Sequence, residues 1–106
     1  MKRKGIGCSP GRVKGNALIL ESNDSLEHIS NNSILVVKRS SPEWFIALLH
    51  ASGIVCESGG RMSHLAILCR ELGKPCVSGI DGIYSAITNG DCVVIDGSTG
   101  EVIVNE

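Results

Sequence analysis

Short apolar runs of strand length alternate along this chain with segments of helical character, a pattern that predicts a mixed α/β domain. Gly11 to Gly15 brackets a turn, and Asn16 to Leu20 follows as a strand. Ser22 to Asn32 is rich in Ser, Asn and Asp and reads as a surface loop, with a short helical turn around Leu26 to Ile29. Ile34-Leu35-Val36-Val37 is continuously apolar, as a strand buried on both faces must be. Ser41-Pro42-Glu43 then predicts a helix start, with Ser as N-cap, Pro in the first turn and Glu at the positive end of the dipole. That helix is expected to run to about Ser52 and to stop at Gly53.

Ile54-Val55-Cys56 is the next strand. A helix is expected over His64 to Leu72, ended by Gly73-Lys74-Pro75, where Gly supplies a C-cap and Pro prevents continuation. Cys76 to Ser78 forms a strand, and a brief helix covers Tyr84 to Thr88. Cys92 to Asp96 and Val102 to Val104 form a closing hairpin across Gly97-Ser98-Thr99-Gly100. No repeat or linker interrupts the pattern, so residues 1–106 are expected to be one compact domain.

Composition narrows what such a domain can do. With 42% apolar residues, 20% charged residues and a net charge of -1, the chain can bury a core and is not a disordered segment. Ten basic residues against eleven acidic ones leave no electrostatic footprint for nucleic acid or an anionic membrane. No apolar stretch reaches the ~18 residues of a membrane span. The basic start Met1 to Lys4 is not followed by a signal-peptide core, so a cytoplasmic location is expected. A chain of 106 residues is also too short for a nucleotide pocket, a second substrate pocket and a hinge between them.

The five cysteines (Cys8, Cys56, Cys69, Cys76 and Cys92) are odd in number and lack CxxC spacing. They read as small buried hydrophobes, with a metal site on Cys56, His64 and Cys69 as the alternative. His28 falls in the polar loop and His50 near a helix C-terminus, and both read as structural or solvated.

The chemistry concentrates in Glu57-Ser58-Gly59-Gly60-Arg61-Met62-Ser63-His64-Leu65-Ala66-Ile67. A strand ends, two glycines turn the backbone, and a helix begins at a histidine. Unsatisfied N–H groups and the positive end of the macrodipole favour an anion at such a helix start. Neutral imidazole there can attack a phosphoryl group whose oxygens would then face those N–H groups. Ser63 is either the N-cap or a donor to the transferred group, and Arg61 adds positive charge, while Arg70 is expected to pair with Glu71, Glu57 or another acid. Taken bare, the same pattern also suits a histidine that merely caps or decorates a helix. The segment lacks the GK[ST] ending of a Walker loop and the glycine spacing of a dinucleotide fingerprint.

Residues Gly59 to Gly79 resemble the phosphohistidine signature of the phosphoenolpyruvate-utilising enzymes, among them phosphoenolpyruvate synthase, pyruvate phosphate dikinase, enzyme I and rifampicin phosphotransferase. Ser9-Pro10-Gly11 with Gly15, Ile34-Leu35-Val36 with Ser41-Pro42-Glu43-Trp44, Asn89-Gly90-Asp91 and Asp96 to Val102 are similar to the flanking parts of the same family. The resemblance implies a β/β/α swivelling domain in which His64 is transiently phosphorylated and passes the group on. In that reading Ser63 assists the phosphoryl oxygens, Arg61 complements their charge, and Gly59 and Gly60 shape the phosphoryl-binding loop.

The implied partners are an ATP-grasp-like nucleotide-binding domain and a phosphoenolpyruvate- or acceptor-binding domain. No cofactor or metal is expected on this chain, and Mg2+ is expected only at the partner sites. The Met start close to the first family strand favours a stand-alone carrier. Two residues depart from the family pattern. Met62 stands where Thr is usual, leaving Ser63 to supply the hydroxyl contact, and Leu65 stands where Ala or Gly is common, which is expected to alter how closely a partner approaches His64. The alternative is a non-catalytic interaction or regulatory module in which His64 is a relic.

Overall fold

Residues 1–21 and 28–105 are described by the computed structural model. Leu26 and Glu27 of the expected turn over Leu26 to Ile29 lie outside them. Eight strands and three helices follow in the order β1 (Lys2–Lys4), β2 (Ile6–Ser9), β3 (Arg12–Ile19), β4 (Ser33–Val37), α1 (Trp44–His50), β5 (Gly53–Cys56), α2 (His64–Leu72), β6 (Cys76–Ser78), α3 (Ile83–Ala86), β7 (Cys92–Asp96) and β8 (Glu101–Val104).

The strands form one sheet in the order β1-β8-β7-β3-β4-β5-β6-β2. Its central strands β3, β4, β5 and β6 run parallel, while β1, β8, β7 and β2 join antiparallel. The two end strands, β1 and β2, are separated in sequence by Gly5 alone. Since consecutive Cα atoms stand ~3.8 Å apart, the sheet must curl until its two edges meet. The amide of Gly5 donates to the Gly100 carbonyl (2.8 Å) at that corner.

Curling creates an inside. Ile34, Val36, Val55, Val77, Val93, Ile95 and Val102 pack within the curl together with Ile83 and Ile87. The alternate residues Leu35, Val37, Ile54 and Cys56 face outward beneath α1 and α2. Side chains of a strand alternate between its faces, so both sets are buried, and that is why Ile34 to Val37 is apolar without interruption. The result is the β/β/α arrangement.

Helices of seven and nine residues are too short to persist alone. They hold by docking Trp44, Ala47 and Leu48 from α1, and Leu65, Ala66 and Cys69 from α2, into the outer core. Full burial of each large apolar side chain contributes about 1.5–3 kcal/mol.

Several expected boundaries move. Helix α1 starts at Trp44, and Ser41 does not cap it. The amides of Trp44 and Phe45 reach back three residues, to Ser41 and Pro42, so this segment is a tight turn before the helix. The Ser41 hydroxyl donates to Glu43 Oε1 instead (3.2 Å). The helix ends at His50, because Ser52 donates its amide (2.9 Å) and hydroxyl (3.1 Å) to the Ser33 carbonyl and leads the chain into β5 at Gly53.

Strand β3 begins at Arg12, so Gly15 lies within a strand and not at the end of a turn. A Cβ there would strike the Asn32 carbonyl, and glycine permits that close approach. Helix α3 spans Ile83–Ala86, earlier than expected, and Ile87 leaves it in extended backbone with its side chain in the core.

Cys8, Cys56, Cys69 and Cys76 are buried free thiols, and Cys92 is half-buried. Burial pushes the Cys56 thiol up to about 11. A hydrogen bond with Cys69, together with burial, pushes Cys76 up to about 12. Cys8 is raised as well, first by its bond to the Cys76 thiol and then by burial. Unfolded thiols titrate near ~8.5, so above that pH the folded chain holds protons that the unfolded chain has lost. These thiols therefore leave stability intact below about pH 8.5 and erode it as pH rises toward 11. The urea midpoint is expected to be lower at pH 10 than at pH 7.5. Replacing Cys56 and Cys76 by Ala or Val should flatten that dependence.

Candidate functional site

The loop after β5 is tied to its neighbours before it turns. Glu57 donates its amide to the Val37 carbonyl (2.9 Å), and Ser58 donates both its amide (3.1 Å) and its hydroxyl (3.0 Å) to the Lys38 carbonyl. At Gly59 the backbone takes φ 120, a conformation closed to other residues, and the chain reverses toward α2. The Ser63 amide donates to the Gly60 carbonyl (3.2 Å) to close the turn.

Ser63 is the N-cap of α2. Its Oγ accepts from the Ala66 amide (3.1 Å), and its carbonyl accepts from Ile67 (3.0 Å). At the other end, Gly73 in the left-handed conformation (φ 70) donates to the Cys69 carbonyl. Both caps stand where the sequence places them.

A capping hydroxyl uses one lone pair, so its proton remains available as a donor. Capping by Ser63 and donation to a phosphoryl oxygen are therefore compatible. With Ala66 taken, the amides of His64 and Leu65 are helix-start donors without intrahelical acceptors. His64 itself is exposed at the first position of α2.

The two departures from the family pattern have opposite fates. Leu65 is 1% exposed and belongs to the core beneath α2, so it cannot touch an approaching partner. Its expected effect on approach is overturned by helical geometry, since the residue after His64 points about 100° away and here faces the sheet. Met62, two residues before the histidine, is 81% exposed.

Arg61 is exposed, and its Nε donates to the Gly7 carbonyl of β2 (3.2 Å). Among the described residues Arg70 pairs with no acid. Its two amino groups donate to the carbonyls of Cys8 (2.7 Å) and Arg61 (2.8 Å). Glu57, one expected partner, instead accepts from the Tyr84 amide through Oε1 (3.0 Å). Among the described residues the ion pairs are Lys2–Glu101 and Arg12–Asp96.

Among the described residues no group of three or more His, Cys, Asp and Glu side chains could hold a metal ion. Cys56 and Cys69 lie in the core, whereas His64 is exposed. No helix of the described residues is long and apolar enough to cross a membrane. An open groove of about 560 Å³, lined in part by Lys38, Arg39, Pro42, Trp44 and Tyr84, lies past the end of β4, and His64 is not among its walls.

Residues 29–100 match the family described as "PEP-utilising enzyme, mobile domain". The chain belongs to this family. Phosphoenolpyruvate synthase of Pyrococcus furiosus is 36% identical over 93% of the chain, and pyruvate, phosphate dikinase of Entamoeba histolytica is 34% identical over 97% of it. The mobile domain spans only 12% and 13% of the length of these two relatives. An NMR solution structure of Enzyme I shares its fold at a TM-score of 0.66, with 31% identity, covering 77% of this chain and 34% of that one.

Proposed function

We propose that this mobile domain carries a phosphoryl group on His64 between two active sites supplied by partner domains or subunits. The observation that carries the reading is the exposed imidazole at the first position of α2, set beside the Ser63 hydroxyl and the unused amides of the helix start.

In loading, the Nε2 lone pair, with the ring proton on Nδ1, attacks the phosphorus of a donor held by one partner. The N–P bond forms as the P–O bond to the leaving group breaks, and the leaving oxygen keeps the electron pair. In unloading, an acceptor oxygen attacks the same phosphorus and the imidazole departs with its electrons. Ser63 and the helix-start amides donate to the equatorial oxygens in both steps. Arg61 adds positive charge, and Gly59 and Gly60 give the phosphoryl group close access to the backbone. The donor is a nucleoside triphosphate at an ATP-grasp-like domain or phosphoenolpyruvate at a second domain. Any Mg2+ acts at those partner sites, and the chain itself takes no cofactor.

The test is to mix the domain with the nucleotide- or phosphoenolpyruvate-binding domain encoded with it, supply phosphorus-labelled donor, and look for an acid-labile, base-stable label. A label on Nε2 of His64, located by phosphorus NMR, is expected. No label from either donor would overturn the reading in favour of an interaction module.

Gly60 supplies a sharper check. A Cβ added there meets nothing within 4 Å, so Gly60→Ala should leave stability within about 0.5 kcal/mol of the parent. If a phosphoryl donor must approach this backbone, transfer should nevertheless fall roughly tenfold or more. Stopped-flow transfer rates beside thermal melts would measure both.

A further inference from the structure

We propose that Arg70 is a positioning residue for His64, acting through the backbone of the loop that precedes it. Its planar guanidinium spans two carbonyls that belong to separate parts of the chain, Cys8 on β2 and Arg61 on the loop. Side chains on a helix lean toward its N-terminus, so a residue six positions beyond His64 can reach back past the helix start.

The anchor on β2 is prepared by a bulge. Gly7 pairs with Val77 and Ser9 with Cys76, so Cys8 is the extra residue, left outside the ladder with a carbonyl to offer. Arg61 adds a second link one residue away, from its Nε to the Gly7 carbonyl. Two arginines thus fasten the loop between Gly60 and His64 to consecutive carbonyls of β2. Lys38 holds the loop at its other end, through Ser58.

A lysine at position 70 carries the same charge but has no fork to bridge two acceptors. The charge of Arg70 is not spent on a carboxylate among the described residues, so the clamp also leaves a cation near the helix start that receives the phosphoryl oxygens. The inference rests on the carrier reading, because positioning matters only if His64 reacts. A displacement of ~1 Å at a reacting atom costs on the order of 100-fold in rate.

Arg70→Lys and Arg70→Met should be compared with the parent by amide hydrogen exchange, by the imidazole NMR signals of His64, and by transfer kinetics with the partner. Expected in both variants are faster exchange from Arg61 to Leu65 with the central strands unchanged, shifted His64 ring signals, and a transfer rate lower by about 30–100-fold. The KM for the partner should change much less than kcat, which general loosening of the surface would not produce. Arg70→Lys keeps the long stem and the charge, and it serves if Arg70→Met does not fold. Parent-like loop exchange and parent-like kcat in Arg70→Lys would overturn the clamp. Failure of the parent itself to take label would instead overturn the carrier reading, and the exchange data would still decide whether Arg70 fastens the loop.

Discussion

His64→Ala should take no phosphorus label from any donor while folding as the parent does. The loss is complete because the variant has no nucleophile at the helix start. Without the imidazole Ser63 has no neighbouring base at the helix start to take its proton, and a serine hydroxyl would in any case form an acid-stable ester in place of the acid-labile N–P bond. His28 and His50 are exposed, but His28 precedes β4 and His50 ends α1, so neither lies in the loop before α2 and neither should substitute. The fold should not notice the change. His64 is exposed, and substitutions at exposed positions usually stay within about 0.5 kcal/mol. Equal thermal midpoints with and without the imidazole, set against total loss of label, would separate chemistry from structure. A label that persists in His64→Ala would sink the assignment.

Gly97→Ala should have the largest effect on folding. A Cβ at Gly97 would drive into the Ser9 carbonyl oxygen and crowd the Cys76 amide. Both are backbone atoms of paired strands, and neither can rotate away as a side chain would. Overpacking typically costs 1–3 kcal/mol, and a clash with fixed backbone belongs at or above the top of that range, about 3 kcal/mol. For a domain of this size that loss lowers Tm by about 12–20 °C. It is also a large part of the ~5–15 kcal/mol that such domains possess. Ser98→Ala makes a fair control, since its exposed hydroxyl only accepts a weak bond from the Gly11 amide (3.4 Å). Near-parental melting of Gly97→Ala would mean that the turn and β2 are not held as tightly together as the structure places them.

The consequence reaches the site. The turn of residues 97–100 packs against β2, and β2 supplies the carbonyls that hold Arg61 and Arg70. A strained Gly97 should therefore loosen the same loop that Arg70 fastens. High glycine content in this chain has two separate uses. Gly59 provides a backbone conformation at the candidate site, whereas Gly97 and Gly15 sit where the backbone of another segment comes too close for a side chain.

Much of the site was legible because its signals are local. Ser63 as N-cap, Gly73 as C-cap and Pro75 beyond it delimit α2 within a dozen residues of one another, and the structure places the helix at His64–Leu72 as those residues imply. The closing hairpin is equally local, with a four-residue turn between β7 and β8. An unbroken apolar run told that β4 is buried on both faces.

What the pattern did not disclose depends on contacts distant in sequence. Lys2–Lys4 and Ile6–Ser9 carry too little apolar periodicity to read as strands, and they become strands only by pairing with β8 and β6. By sequence Arg70 reads as half of an ion pair because acids lie close to it, yet its carbonyl acceptors include one 62 residues away. Leu65 and Met62 read alike as neighbours of a histidine until packing sends one into the core and the other into solvent.

The sequence by itself therefore determined which histidine opens the candidate site, the helix that presents it and the caps that end that helix, since each depends on the backbone preferences of a few adjacent residues. Only the tertiary structure decided how that helix start is held. The curl of the sheet brings β2 beside the loop, and a hydrogen bond between residues so far apart exists only after the chain has folded.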